Sequence, residues 1–363
     1  MFAAMNTSID PVVIVGGGQS GLAAARAVGD AGLRPLVLES GPRPVGSWPS
    51  YYDSLTLFSP AAYSAYPGVA FGGDPDRYPS RDEVVAYLER YATGLDVEIR
   101  TNTRVETVEP YGPGFLVQTV DGERIAAAGV VAATGSFSNP HLPTLPGREG
   151  FAGEVLHVAD YRNPKPYVGR RVVVVGGGNS AVQVGYELAE VATVTLATRA
   201  PLTFLPQRHG GKDLHYWLTS LGFDDLPPAW LARIVGGTLV LDTGRYRDAL
   251  ESGRFDRRPM FTAFAGDDVV WADGGREQVD VVVFATGYRP SLGYLRALGA
   301  LDQEGTPLHA GGVSLTYPGL VYAGLEFQRS FSSNTLRGVS RDAEYVLGPL
   351  AAHVRGAPAA VGL

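Results

Sequence analysis

The sequence predicts an α/β fold of two Rossmann-like dinucleotide-binding domains, each a parallel sheet with a small antiparallel meander, the second inserted into the first. Three observations predict it. A glycine turn between two apolar, β-branched runs occurs twice, at Val12 to Glu39 and at Val172 to Arg199. A buried-looking strand ending in Thr-Gly also occurs twice, at Thr134-Gly135 and at Thr286-Gly287. The composition is that of a globular chain, 363 residues with 45% hydrophobic and 18% charged, which at roughly 150 residues per domain allows two or three domains.

Charge and residue usage narrow the chemistry. A net charge of -7 and the lack of a basic stripe argue against a nucleic-acid surface and for a small-molecule partner. There is no cysteine, which excludes disulfide scaffolds, thiolate metal sites and Cys-x-x-Cys redox chemistry. No Gly-x-Ser-x-Gly elbow and no metal-ligand spacing among the 6 histidines is found, so serine-hydrolase and metal readings fail. Met1 to Asp10 lacks a signal-peptide pattern, and no apolar run approaches the ~20 residues of a membrane span. The expectation is a cytoplasmic protein, a monomer or homodimer, without a membrane segment.

Val12 to Val15 reads as a strand buried on both faces. Gly16, Gly18 and Gly21 follow at Gly-x-Gly-x-x-Gly spacing: one for the tight turn, one for backbone approach to a pyrophosphate, one for close helix packing. A helix from Ser20, a strand from Pro35 and a terminal acid, Glu39, complete the unit; the acid suits a free ribose hydroxyl pair, as in NAD or FAD. The aromatic stretch Tyr51 to Pro67 reads equally as a covering loop or as part of a pocket around a planar ring. Ser80 and Glu83 form a capping box for a helix through Tyr91. Val97 to Arg100 completes the parallel sheet, and the runs from Arg104 to Ile125 form a meander. Gly129 to Gly135 is a buried strand, and Pro140, Pro143 and Pro146 mark a linker.

The second unit copies the first. Glu39 follows Gly16 by 39 − 16 = 23 positions, and Arg199 follows Gly176 by 199 − 176 = 23. A guanidinium in place of the acid accommodates a 2′-phosphate, which points to NADPH; the alternative for Arg199 is a solvated strand-end charge. Ala181 replaces the third glycine. Short helices are expected at Asp213 to Leu218 and Pro228 to Ile234, with Trp217 and Trp230 as packing residues. Arg208, His209 and Lys212 read as a solvated loop, phosphate contact being the alternative. Val279 to Phe284 is a strand leading to Thr286-Gly287, and Pro318 to Gly324 another. A helix from about Ser332 to Leu350 closes the chain, its start offering open amides to a ligand.

Gly16-x-Gly18-x-x-Gly21, Phe151-x-Gly153-x-x-x-His157-x-x-x-Tyr161 and Gly176-x-Gly178-x-x-Ala181, in that order, resemble the class B flavin-dependent monooxygenases, and the compact bacterial flavoprotein oxidoreductases among them most. The resemblance covers nearly the whole chain. It implies FAD in the first site, NADPH in the second, and a hydroperoxyflavin that inserts one atom of O2 into a small organic substrate. It also implies an FAD-binding domain over 1–145 and 290–363 around an NADPH-binding domain over 146–289. FAD is expected against Gly16, Gly18, Gln19, Ser20, Gly21, Glu39, Ser40, Trp48, Val105, Thr134 and Gly135, with Gly324, Phe327 and Gln328 of the tail beside its ring. NADPH is expected against Gly176, Gly178, Asn179, Ser180, Ala181, Arg199, Thr286 and Gly287. No residue is identified as acid or base, and His157 alone could be a satisfied core histidine. Larger members carry an Asn near the reactive flavin carbon; the comparable stretch here is Leu57-Phe58-Ser59-Pro60. An NADPH oxidase or acceptor reductase, and a redox-sensing flavoprotein, therefore stand beside the monooxygenase reading.

Overall fold

The computed structural model describes residues 10–230 and 239–356. The run Val12–Val15, buried along its length, is the middle one of the five parallel strands in a 7-stranded sheet. Pro35–Leu38 and Gly129–Ala132 flank it in parallel, followed outward by Glu98–Arg100 on one side and Leu320–Tyr322 on the other. Two short antiparallel strands, Val313–Ser314 and His309–Ala310, extend that second edge. These strands have few polar side chains because both faces are covered, one by helices and the other by Val108, Phe115 and Val117 of an antiparallel meander together with Leu292, Leu295 and Leu298. Gln19–Asp30 and the C-terminal helix pack on the first face through Leu22, Val28, Val339 and Val346.

The second sheet has 5 strands, all parallel, in the order Asp256–Pro259, Thr193–Thr198, Arg171–Val175, Val281–Phe284, Glu154–His157. Each sheet carries a three-stranded antiparallel meander. One is Val105–Tyr111, Gly114–Thr119 and Arg124–Ala127; the other is Ala263–Ala265, Asp268–Val270 and Arg276–Gln278. The architecture is thus the two-domain α/β fold expected.

The chain passes between the sheets twice, and the two crossings are laced together. Pro140 and Tyr288 form a bridge, and the Asn139 side chain donates to the Pro290 carbonyl at 3.0 Å. Each Thr-Gly strand end bonds the other crossing: the Thr134 hydroxyl donates to the Ser291 carbonyl at 2.7 Å, and the Thr286 hydroxyl to that of His141. The duplicated Thr-Gly is a mutual brace as well as a place for close approach.

Other expectations meet the structure element by element. The capping box is formed, with Ser80 accepting from the Glu83 amide and the Glu83 carboxylate from the Ser80 amide, ahead of helix Arg81–Thr93. The closing helix differs, spanning Val339–Val354 instead of starting near Ser332. The reason is local competition for backbone groups: the Ser333 hydroxyl accepts from the amides of Arg329 and Ser330, and the Thr335 hydroxyl donates to the Ser332 carbonyl. Trp230 is 64% exposed and so is not a packing residue, whereas Trp217 is half-buried with its indole N–H on the His209 carbonyl. Of the helix expected over Pro228 to Ile234, residues 231–234 lie outside the described residues.

Candidate functional site

The first glycine turn is built by contacts that leave no room for side chains. Gly16 has φ +104, and a Cβ there would lie 2.6 Å from the Ala133 carbonyl oxygen. A Cβ on Gly21 would lie 1.8 Å from the Gly16 carbonyl oxygen, which is why helix and strand approach so closely here. The helix Gln19–Asp30 begins at Gly18 with no side-chain cap and no acid in its first turn, leaving its amides for an anion. Glu39 is 5% exposed, and its carboxylate accepts from the amides of Gly17 and Gly41, each at 2.6 Å.

A cavity of about 750 Å³ opens from this turn. Gly16, Gly18, Gln19, Ser20, Glu39, Ser40, Trp48, Val105, Thr134, Gly135 and Gly324 all line it, so eleven positions scattered over the sequence meet at one place. Gly21 stands behind the wall as a packing residue. Phe327 and Gln328 do not line the cavity: Phe327 sits at φ +53 and is 40% exposed, while the buried Gln328 amide accepts from Leu325 at 3.3 Å and donates to the Gly311 carbonyl at 3.4 Å. Asn334, Thr335 and Leu336 supply that part of the wall, because the helix starts later than the spacing implied. The Trp48 indole N–H donates to Gln19 at 3.0 Å, and the Gln19 amide in turn donates to the Asn334 carbonyl at 2.6 Å.

The aromatic stretch serves both roles open to it. Tyr52 and Tyr66 are core residues at 4% and 2% exposure, whereas Trp48, Tyr51, Leu57, Phe58 and Ser59 line the cavity. From Trp48 an aromatic file runs through Tyr51, Phe137 and Tyr288 to His157, with ring centroids 5.5, 4.5, 5.4 and 4.9 Å apart. His157 is buried and holds the crossing: its Nδ1 accepts from the Ala159 amide and its Nε2 is 3.1 Å from the Gly287 carbonyl. With Nδ1 an acceptor, the proton belongs on Nε2, and burial holds the imidazole pKa below its usual value, so the ring is neutral. The rest of its motif is structural too. A Cβ on Gly153 would lie 2.5 Å from the Phe151 ring, and the Tyr161 hydroxyl donates to Glu187 at 2.8 Å.

The second glycine turn repeats the first with three changes. Gly176 has φ +142, and a Cβ there would lie 2.5 Å from the Ala285 carbonyl oxygen. Ala181, 1% exposed, takes the place of Gly21. Gly178 caps helix Asn179–Leu188 with its amides open, beside Ser180, but the Asn179 side chain is committed to the Leu241 amide at 2.9 Å. The third change is register. Val15 pairs with Leu38, so Glu39 is the first residue beyond; Val175 pairs with Ala197, so the residue in the place of Glu39 is Thr198. Counting from the glycine lands on Arg199, one position further and exposed.

A polar node that sequence reasoning missed joins the two units beside the cavity. The buried Asp213 carboxylate accepts from the Tyr78 hydroxyl at 2.6 Å, from the His215 amide and Nδ1 at 2.8 Å each, and from Gln207 at 3.1 Å. Gln207 also donates to the Phe58 carbonyl at 2.6 Å. Burial works against ionisation of Asp213, yet the bonds from His215, Tyr78 and Gln207 win and hold its pKa at about 2. Its only trace in the sequence is an acid at a helix start.

The comparisons with known proteins agree with this geometry. Residues 13–221 match the pyridine nucleotide-disulphide oxidoreductase family model. The uncharacterized oxidoreductase CzcO-like of Geobacillus kaustophilus is 32% identical over 346 residues, 94% of this chain and 98% of the relative. The indole-3-pyruvate monooxygenase YUCCA1 of rice, Oryza sativa subsp. japonica, is 30% identical over 319 residues, 79% of this chain and 78% of its own. The structure of a flavin-containing monooxygenase from Stenotrophomonas maltophilia superposes with a TM-score of 0.81 at 31% identity, covering 95% of this chain and 98% of that one. Among the described residues no helix is long and apolar enough to cross a membrane. The chain belongs to the flavin-dependent monooxygenases, an oxidoreductase family that works with FAD and NADPH.

Proposed function

We propose that residues 1–145 and 290–363 bind FAD, that residues 146–289 bind NADPH, and that the enzyme transfers one atom of O2 to a small organic substrate. The observation that carries the reading is the cavity at the first turn, where an uncapped helix start, a buried strand-end carboxylate and an aromatic wall converge. Its residues fit an FAD: open amides for the pyrophosphate, Glu39 for the ribose, and Trp48 with Tyr51 beside the ring. The second turn fits NADPH in the same terms, with Arg199 for the 2′-phosphate, open amides at Gly178 to Ser180, and Thr286 with Gly287 at the far strand end.

A bound FAD would supply the redox chemistry, hydride acceptance from NADPH and reaction with oxygen. The protein's part is placement. Leu57, Phe58 and Ser59 supply part of the cavity wall, the Gln19 amide fixes the Trp48 edge, and neutral His157 steadies the Gly287 end of the crossing. Like the rice relative, which is named for indole-3-pyruvate, this enzyme is proposed to take a small carbonyl compound, and an aromatic 2-oxo acid suits the aromatic wall. A monomer or homodimer working in the cytoplasm completes the proposal, checked by sedimentation and cell fractionation.

The test follows NADPH consumption and hydrogen peroxide together over a panel of 2-oxo acids, ketones and thioethers. Consumption exceeding peroxide, with oxygenated product at the difference, is expected for at least one. Peroxide equal to NADPH with every compound would overturn oxygen transfer, and purified protein without flavin absorbance would overturn the FAD site.

A further inference from the structure

The one-residue difference in register leaves a question about charge. In the first unit the strand end carries a buried carboxylate, Glu39; in the second, Thr198 occupies that position, and its side chain is only 2% exposed. The Thr198 hydroxyl donates to the Ala200 carbonyl at 2.7 Å and accepts from Nε of Arg257, also at 2.7 Å. A guanidinium is therefore anchored where the first unit holds its acid.

Arg257 lies on the edge strand Asp256–Pro259, and the same register identifies its counterpart. Leu38 pairs with Arg100 in the first sheet, and Ala197 with Arg258 in the second. Arg100 and Arg258 are thus equivalent, and they do equivalent work: Arg100 binds Glu98 and Glu123, and Arg258 binds Glu277 and Asp273. One residue back, the first unit has Ile99, packed against its hydrophobic core, and the second has Arg257. Among the described residues Arg257 pairs with no carboxylate, and its only hydrogen bond is the one to Thr198, made through Nε. Among the described residues neither terminal nitrogen of the half-buried fork has a protein acceptor. A planar fork held by Nε alone presents its outer edge to an oxyanion, the geometry in which arginine binds phosphate through two hydrogen bonds.

We propose that Arg257 is a second guanidinium for the 2′-phosphate of NADPH, set by Thr198 at the position that Glu39 occupies in the FAD unit, so that selectivity rests on Arg257 together with Arg199. The proposal rests on the reading of the second turn as the NADPH site. It adds a residue from a strand 58 positions beyond Arg199 (257 − 199 = 58), outside the glycine fingerprint.

The test is equilibrium binding to the FAD-loaded protein by titration calorimetry, with 2′,5′-ADP and 5′-AMP as probes that differ only in the 2′-phosphate. Arg257→Ala is expected to weaken 2′,5′-ADP by about tenfold or more and 5′-AMP by less than about twofold, as a lost charge-assisted bond requires. Thr198→Val, which keeps the charge and removes its anchor, gives a smaller loss of the same sign, and Arg258→Ala leaves the ratio of the two affinities unchanged. Flavin absorbance and the melting temperature of each variant report folding, and Arg257→Gln serves if the alanine variant does not fold. A wild type that binds both probes equally overturns the NADPH reading and this proposal with it. A selective wild type whose ratio is unmoved by Arg257→Ala or Arg257→Gln, or equal weakening of both probes, overturns this proposal alone.

Discussion

The two glycine turns have the same backbone and opposite electrostatics. Both begin after a strand buried on both faces, both place a positive-φ glycine under a carbonyl of the neighbouring strand end, and both open uncapped helix amides. Packing then separates them: Gly21 tolerates no Cβ, whereas Ala181 fits one at the same place. Charge separates them further, with buried Glu39 at one strand end and Thr198, Arg199 and Arg257 at the other. The difference teaches that the fold supplies the same open-amide turn twice, while the charge beside it is set by side chains at the second strand end and on its neighbour.

The strongest way to break the comparison is to exchange the packing residues. Gly21→Ala, whose methyl would lie 1.8 Å from a carbonyl oxygen, is expected to cost about 3 kcal/mol and to lose flavin, measured by denaturant unfolding and absorbance. The reverse change, Ala181→Gly, should cost only ~1 kcal/mol and leave flavin content intact; equal effects would end the distinction between the turns. Glu39→Thr, which gives the first strand end the residue of the second, is expected to weaken FAD by roughly 1.5 to 3 kcal/mol in apoprotein titrations. Arg199→Ala should raise the KM for NADPH over that for NADH by a similar charge-assisted contribution, roughly 1.5 kcal/mol or more, and equal effects on both would remove Arg199 from the 2′-phosphate.

Two titrations sharpen the contrast further. Asp213, found only in the second unit's approach to the cavity, has its pKa lowered from 3.8 to about 2, so its contribution is present above pH 3.8 and is lost as pH falls towards 2. Acid unfolding should show a loss of about 2 kcal/mol across that window that Asp213→Asn lacks. The smallest effect belongs to His157, whose folded pKa is lowered by burial. The unfolded chain binds the extra proton first, so stability falls as pH drops below the ordinary value of 6.5. Melting temperatures from pH 7.5 to 5.5, compared with His157→Asn, measure it.

Much of this was legible in the sequence because the signals are local. Valine runs, glycine spacing, the capping box at Ser80 and the meander from Arg104 to Ile125 depend on neighbours a few residues apart, and all are where the pattern placed them. Eleven of the expected FAD positions meet in one cavity for the same reason. What was not legible depends on register or on distance. Whether Thr198 or Arg199 matches Glu39 is decided by strand pairing, and a count from the glycine cannot see a helix two residues shorter, Asn179–Leu188 against Gln19–Asp30. The late start of the closing helix depends on serine hydroxyls that capture backbone amides. The bond from Arg257 to Thr198 and the bonds on Asp213 join residues far apart in sequence, with no periodicity to announce them.

The Gln207 side chain divides its amide between Asp213 and the Phe58 carbonyl, and Tyr78 reaches the same carboxylate. Residues of the first unit thereby complete the hydrogen bonding of a carboxylate that belongs to the second. Chimeras that exchange residues 146–289 between relatives inherit this dependence. A donor segment carrying an acid at 213 buries an incomplete set of donors unless position 78 supplies a hydroxyl, so the junctions of any such graft must be chosen with positions 58 and 78 in view.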